Sequence, residues 1–455
     1  MASNYRPNVL VFVPHDLGDH LNCYGHPTVR SPHLDRLASE GVRFTNYFTS
    51  APECTSSRGC MMTGKHSHQN GLMGLCWFGW GLEPGVPHLA TRLRDGGYQT
   101  HLFGMQHETH EAPNTLGYEH SHPSPGSHVA NVCRDLVDFL GSDEANSDAP
   151  WFACAGFHHV HRPWKNTPTF TPDEVDVPPY LPDNPTVRDD LIHFHQDIFE
   201  MDAAIGTVLS ELRNSDVGKN TLVLFTTDHG AAFPRAKATF YDPGIHIPLI
   251  AHWPGHMEGG KAFGELLSNV DFSPTILDCC GLDVPEDIPG RSFLSLVRGE
   301  PYREHEAVYG ALFYDVSYDP MHYVRTRTHK YIRSFGVTAE DAMGADERVL
   351  ATFAGGSWIR VDDADVMMSA AWQSIAEDVD RGRPPREELY DLVRDPLEQH
   401  NLAGTQDAAS VLTEMRNLME RMMVDTQSPL LDGHVAPPSE QIEKGRGYRE
   451  RLGIA

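Results

Sequence analysis

Two short apolar runs limit the folds open to this chain. Val9–Val13 is almost uninterrupted hydrocarbon and stops at His15-Asp16-Leu17-Gly18; Thr221–Thr226 stops in the same way at Asp228-His229-Gly230. A strand that is apolar on both faces needs cover on both faces, as in a parallel sheet buried between helices. Trp151–Phe157, which runs into His158-His159-Val160-His161, repeats the pattern, and Gln99–Phe103 and Ile247–His252 add further strands. Helical segments alternate with them. Ser31 and Pro32 suit the cap and first turn of a helix that Gly41 stops before an extended stretch, Val42–Phe48. Leu89–Arg94 and Ala130–Leu140 read as helices, and Asp189–Leu212 as a long amphipathic one with Ile198, Met201, Ile205 and Leu209 on one face. The alternation predicts an α/β fold: a large mixed, mostly parallel sheet sandwiched by helices. In such sheets ligands collect at the carboxyl ends of strands, where both His/Asp pairs sit.

Near residue 300 the texture changes. Tyr323–Arg327 and Lys330–Ser334 look like an antiparallel pair, 336–386 is irregular and acidic, and a helix is expected around 409–423. A chain of 455 residues suits a large domain, 1–315, and a smaller C-terminal α+β subdomain on an antiparallel sheet, 316–455. No apolar run approaches the roughly 20 residues of a membrane span. The N-terminus lacks the basic and apolar regions of a signal peptide, so a cytoplasmic location is expected. The formal net charge of -27 argues against nucleic acid or an anionic membrane as partner. Eight cysteines in so long a chain do not read as a disulfide framework.

The chemistry centres on Cys54-Thr55-Ser56-Ser57-Arg58 and the following Thr63-Gly64. This stretch resembles the nucleophile signature of the type I sulfatases, of the alkaline phosphatase superfamily. Ser31-Pro32-His33-Leu34-Asp35, His68-Gln69-Asn70-Gly71, Phe157–Arg162, Val177–Asp183 and Phe225–Gly230 are similar to segments of the same family, in particular its N-sulfoglucosamine sulfohydrolase (heparan N-sulfatase-like) branch. Asp395–Leu402 looks like the C-terminal segment of many sulfatases.

The resemblance implies that Cys54 is oxidised to formylglycine by a formylglycine-generating enzyme, and that its hydrate attacks a sulfate ester or sulfamate, expected on a sugar, with an aryl or alkyl ester also fitting. The chain departs from the family in having Ser56 where the maturation motif has proline, and Met105 where relatives carry a sulfate-binding lysine. By the same resemblance, His15, Asp16, Cys54 (as formylglycine), Asp228 and His229 would hold one divalent metal. Calcium is the family precedent, whereas two imidazoles lean toward manganese or zinc. His15 could instead flank the metal. Arg58 would fix the hydrate, Lys237 bind sulfate, His161 protonate the leaving group and His107 help the aldehyde re-form. A helix starting at Cys54 would let its first amides face an anion. Two rivals stand beside this reading: a phosphonate monoester or phosphodiester hydrolase on the same fold, favoured by Asp228-His229 and Met105, and a non-catalytic binding protein unmodified at Cys54.

Overall fold

The computed structural model describes residues 6–315, 318–335, 349–352, 358–361, 364–376, 385–433 and 435–452. Its main sheet is built from β1 (Asn8–Val13), β2 (Val42–Phe44), β4 (Gln99–Gly104), β5 (His120–His122), β6 (Trp151–Gly156), β7 (Thr221–Thr226), β8 (Leu249–His252) and β9 (Lys261–Phe263). The strand order is β5-β4-β6-β1-β7-β8-β2-β9. The run from β5 to β7 is parallel, and β8 is antiparallel to both β7 and β2. Between β2 and β4 the short β3 (Tyr47–Phe48) pairs with β10 (Leu267–Ser268). The expected extended stretch 42–48 is therefore two strands that belong to different sheets.

Alternation along β1 shows why its sequence is so apolar. Leu10 and Phe12 enter the core that holds Ile198, Met201 and Ile205 of the long helix. Val9, Val11 and Val13 enter the opposite core, with Phe272, Ile276 and Leu277. Each face buries its own side chains, so neither alternation nor polarity survives in the strand. The long helix runs over Pro185–Asn214 and so starts earlier than its periodicity suggested, because Asn184 accepts from the Val187 amide and Pro185 takes the first turn. Ser31 makes no capping bond to its helix; its hydroxyl bonds Asp35 instead and accepts from the Asn22 amide.

The C-terminal part is an antiparallel sheet of β11 (Val308–Tyr314), β12 (Tyr318–Arg325), β13 (His329–Ser334) and β16 (Glu387–Asp391), in the order β11-β12-β13-β16. The helix Ala409–Asp425 covers one face with Leu412, Met415, Leu418 and Met419. Of the segment expected to be irregular, 336–348, 353–357, 362–363 and 377–384 lie outside the described residues, as does 1–5. Its described residues are regular: a hairpin of β14 (Val349–Thr352) and β15 (Trp358–Val361), then short helices at Ala364–Met367 and Ala370–Gln373.

A buried charge cluster joins the two sheets. Asp242, just beyond the loop after β7, takes both Nε and Nη2 of Arg325 from β12 at 2.9 Å. Lys330 Nζ of β13 lies 2.6 Å from Asp242 and 2.7 Å from Glu398. The Asp242 amide donates to the Glu398 carboxylate at 2.6 Å. Bidentate pairing of this kind fixes orientation as well as charge. It therefore fixes the loop that carries Lys237.

Candidate active site

The carboxyl ends of β1 and β7 are adjacent, which brings His15-Asp16 beside Asp228-His229. All four side chains are buried. Asp16 has φ 53, a left-handed backbone that a non-glycine residue adopts at a cost of order 1–3 kcal/mol. That turn aims its own amide at Asp228 Oδ1, 3.0 Å away. Asp16 Oδ1 is 2.5 Å from His15 Nδ1 and 3.4 Å from His229 Nε2. One ligand atom from each of these four residues lies within 4.8 Å of every other.

The tautomer of His229 can be assigned. Its Nδ1 lies 3.0 Å from the Gly230 carbonyl, which can only accept, so Nδ1 carries the proton. In the neutral ring Nε2 is then a lone pair; it is fully buried, has no hydrogen-bond partner among the described residues, and faces the Asp16 carboxylate. A lone pair against a carboxylate is unfavourable unless a cation lies between them. That orphaned nitrogen is the observation that the metal expectation fits.

Cys54 opens the helix Cys54–Thr63 and is buried. Its sulfur lies within 4.8 Å of ligand atoms on His15 and His107. The thiol sits well above its ordinary pKa, first because of burial and then because of the Glu53 carboxylate, so it is protonated at neutral pH. The expectation that the first helical amides face an anion is corrected. Glu53 caps the helix itself and accepts from the amides of Thr55 at 2.9 Å and Ser56 at 2.8 Å. Ser56 is thus an amide donor at the position where the family motif has proline, which has no N–H to give.

Arg58 is buried and braces the metal-side carboxylate: Nε donates to Asp228 Oδ2 at 3.0 Å and Nη2 to the Pro14 carbonyl at 3.0 Å. His107 Nδ1 lies 3.1 Å from His15 Nε2, and the Trp77 ring meets His107 edge-on with centroids 5.0 Å apart. Burial first, and then His15 and Arg58, hold the His107 pKa well below its ordinary value, so it is neutral. Met105 supplies an apolar side chain and no charge. His158 pairs only through ring contacts here, at 6.4 Å from His15.

His161 and Lys237 meet a residue that the sequence did not single out. Lys237 Nζ donates to Asp16 Oδ2 at 2.9 Å and to Asp365 Oδ2 at 2.8 Å. His161 Nε2 lies 3.1 Å from the same Asp365 oxygen. Burial would lower the His161 pKa, but Asp16, against Lys237, and Asp365 raise it to about 9. Burial likewise opposes ionisation of Asp365, and Lys237 and His161 outweigh it. Asp365 reaches the site because the next short helix is tied down: Asp190 of the long helix accepts from the Ala371 amide at 3.2 Å while clamping Arg162 through two 2.7 Å bonds. A charged imidazole, a neutral imidazole, a buried ammonium and a carboxylate pair therefore converge, which equips the site to bind an anion and move protons both ways.

Comparison with known proteins places this arrangement. The model of the Sulfatase family matches residues 7–282, and that of the N-sulphoglucosamine sulphohydrolase C-terminal region matches 233–342. An ulvan-active sulfatase of Formosa agariphila is 27% identical, over 96% of this chain and 78% of its own length. The N-sulphoglucosamine sulphohydrolase of Homo sapiens is 28% identical, over 93% of this chain and 91% of its own. Among solved structures, a protein in complex with its substrate D-glucosamine-2-N,6-O-disulfate shares the fold with a TM-score of 0.69 at 20% identity, covering 93% of this chain and 98% of that one. The phosphonate monoester hydrolase of Agrobacterium radiobacter does so with the same TM-score and identity, covering 92% and 96%. This chain belongs to the sulfatase family and is a sulfuric ester hydrolase.

Proposed function

We propose that this sulfatase removes sulfate from a sulfated sugar, as an O-sulfate ester or an N-sulfamate, using Cys54 matured to formylglycine. The observation that carries the reading is the convergence of Cys54, His107, His161 and Lys237 on the Asp16–Asp228 pair. The sulfated-sugar substrates of the similar proteins support it. His15, Asp16, Asp228 and His229 would hold the divalent cation. Bound there, the ion would supply Lewis-acid stabilisation of charge on the ester oxygens and on the nucleophile. The hydrated aldehyde supplies an oxygen nucleophile with a second hydroxyl, through which the sulfated form can break down.

The chain's own groups divide the remaining work. Lys237 neutralises the incoming anion. Arg58 holds Asp228 in place and so sets the metal-side wall. His161 donates a proton from Nε2 to the departing oxygen or nitrogen. His107, neutral, accepts a proton as the aldehyde is regenerated. Asp365 anchors Lys237 and His161 and must give way to the substrate anion, since its carboxylate holds both cations.

Mass spectrometry of the peptide containing residue 54, followed by assay on sulfated, sulfamated and phosphonate monoester substrates, tests the reading. Formylglycine with preferred turnover of a sulfated sugar supports it. An active enzyme with unmodified Cys54 overturns the nucleophile. Preference for the phosphonate would favour the second reading, for which the uncharged Met105 and the Asp228-His229 pair speak. Chelation followed by reconstitution with calcium, manganese or zinc identifies the cation: calcium is the family's, and the two imidazoles make the others its competitors.

A further inference from the structure

A second group of metal-ligating side chains lies at the edge of the main sheet, on residues the active site does not use. β4 and β5 pair in parallel with His101 opposite His120 and Phe103 opposite His122. In that register the two imidazoles stack on one face, with centroids 4.6 Å apart and planes 14° from parallel. Glu144, in the loop after the helix Val129–Leu140, turns back over them. Its Oε1 lies 3.5 Å from His120 Nε2 and 3.9 Å from His101 Nε2. Ligand atoms of His101, His120 and Glu144 all lie within 4.8 Å of one another.

A stacked pair of histidines beside a glutamate could be no more than an edge-strand ion pair. His101 argues otherwise. It is fully buried, and its Nε2 has no hydrogen-bond partner among the described residues although it faces Glu144. Its Nδ1 lies 3.5 Å from His122 Nε2. With Nδ1–H turned toward His122, Nε2 keeps its lone pair, the tautomer a metal needs, and His122 orients the ring as the outer partners of metal-bound histidines do. Phe103 stacks on His122 at 4.1 Å and Phe139 packs on His101 at 4.5 Å, so both rings are held. Burial, then His120 and His122, lower the His101 pKa to about 3, which keeps this imidazole neutral.

We propose that His101, His120 and Glu144 form a second metal site, for a borderline transition cation such as Zn2+, with His122 as the residue that orients His101. Two imidazoles and one carboxylate suit zinc, cobalt or nickel rather than calcium or magnesium. Tetrahedral zinc with bonds near 2.0–2.1 Å needs ligand atoms about 3.4 Å apart. The exposed His120 and the half-buried Glu144 would close the remaining gap by side-chain rotation onto the fixed His101, leaving the open side for a water as fourth ligand. Bridging β4, the edge strand β5 and the following loop, the ion would staple the edge of the sheet.

The test is a calorimetric titration of Zn2+ into chelator-treated, calcium-saturated full-length protein. Wild type is expected to bind one zinc equivalent more than a variant lacking these ligands, and to gain thermal stability from it. The double variant H120A/E144Q leaves the buried His101 in place, is expected to fold normally and to lose that equivalent. H122A is expected to weaken it about tenfold or more. The same number of zinc equivalents in wild type and H120A/E144Q overturns the proposal. Sulfatase activity in calcium is expected to be unchanged in H120A/E144Q, so failure here stays separate from failure of the catalytic reading.

Discussion

Two buried charge clusters of this molecule come together along the chain at Lys237 and Asp242 and are opposite in design. At the junction of the sheets, Asp242, Arg325, Lys330 and Glu398 pair anion with cation throughout, and the distances of 2.6–2.9 Å use up their charge on one another. At the active centre the pairing is unfinished. His229 presents an unused lone pair to a carboxylate, His15 and His107 face each other across 3.1 Å, and Lys237 and His161 share one oxygen of Asp365. A closed cluster holds a structure in one state, while an open one keeps interaction energy in reserve for a ligand. Only four residues lie between Lys237 and Asp242, so the closed cluster serves as the foundation of the open one.

Variants should separate the two. Cys54→Ala is expected to reduce kcat by about 10⁴-fold or more with unfolding behaviour like wild type; substantial turnover would remove Cys54 from the chemistry. Lys237→Ala should lower kcat/KM by about 10²-fold, and an unchanged value would mean that Lys237 only neutralises Asp16. In the junction, Asp242→Ala leaves Lys330 and Arg325 short of an anion and should cost about 3 kcal/mol in denaturant unfolding, with activity per folded molecule lowered far less than in Lys237→Ala. A catalytic collapse there without loss of stability would break the division between the clusters. Asp365→Asn removes a carboxylate that competes with the substrate anion, and is expected to tighten inhibition by inorganic sulfate by about tenfold or less. Weaker inhibition would make Asp365 part of the anion's binding site.

The smallest effect is a slope. Burial opposes ionisation of Asp242, but Lys330 and Arg325 hold its pKa well below the usual carboxylate range. The unfolded chain then binds the proton first as pH falls, so this stabilisation is complete above about pH 4 and fades below it. Unfolding free energies of wild type and Asp242→Asn should therefore converge as pH drops below 4. Parallel curves would show that the pair contributes by shape and not by charge.

Much of this arrangement was legible in the chain. The apolar runs ending at His15-Asp16 and Asp228-His229 gave the parallel strands and their functional ends, because a strand covered on both faces has no polar register to confuse it. The helix at Cys54 and the antiparallel C-terminal sheet were readable for similar local reasons. Asp365 was not. It lies in an acidic stretch without periodicity, and long-range ties such as the Asp190–Ala371 bond, between residues 181 apart, and the Asn184–Ser374 bond bring it to Lys237. Nor could the chain show that Glu53 takes the helix amides: a glutamate before a helix caps it or faces solvent according to burial, and burial at that position is a tertiary fact.

The central place of β1 has a consequence for assembly. The first strand of the chain lies between β6 and β7, at Trp151–Gly156 and Thr221–Thr226. During synthesis it must wait for both neighbours, more than 200 residues of chain, before its hydrogen-bonding edges are satisfied. Such non-local pairing folds slowly. A chain interrupted before β7 would carry an unpaired, wholly apolar edge of the kind that recruits other chains. The strand that places His15 and Asp16 is thus also the one most exposed to misassembly when translation stalls.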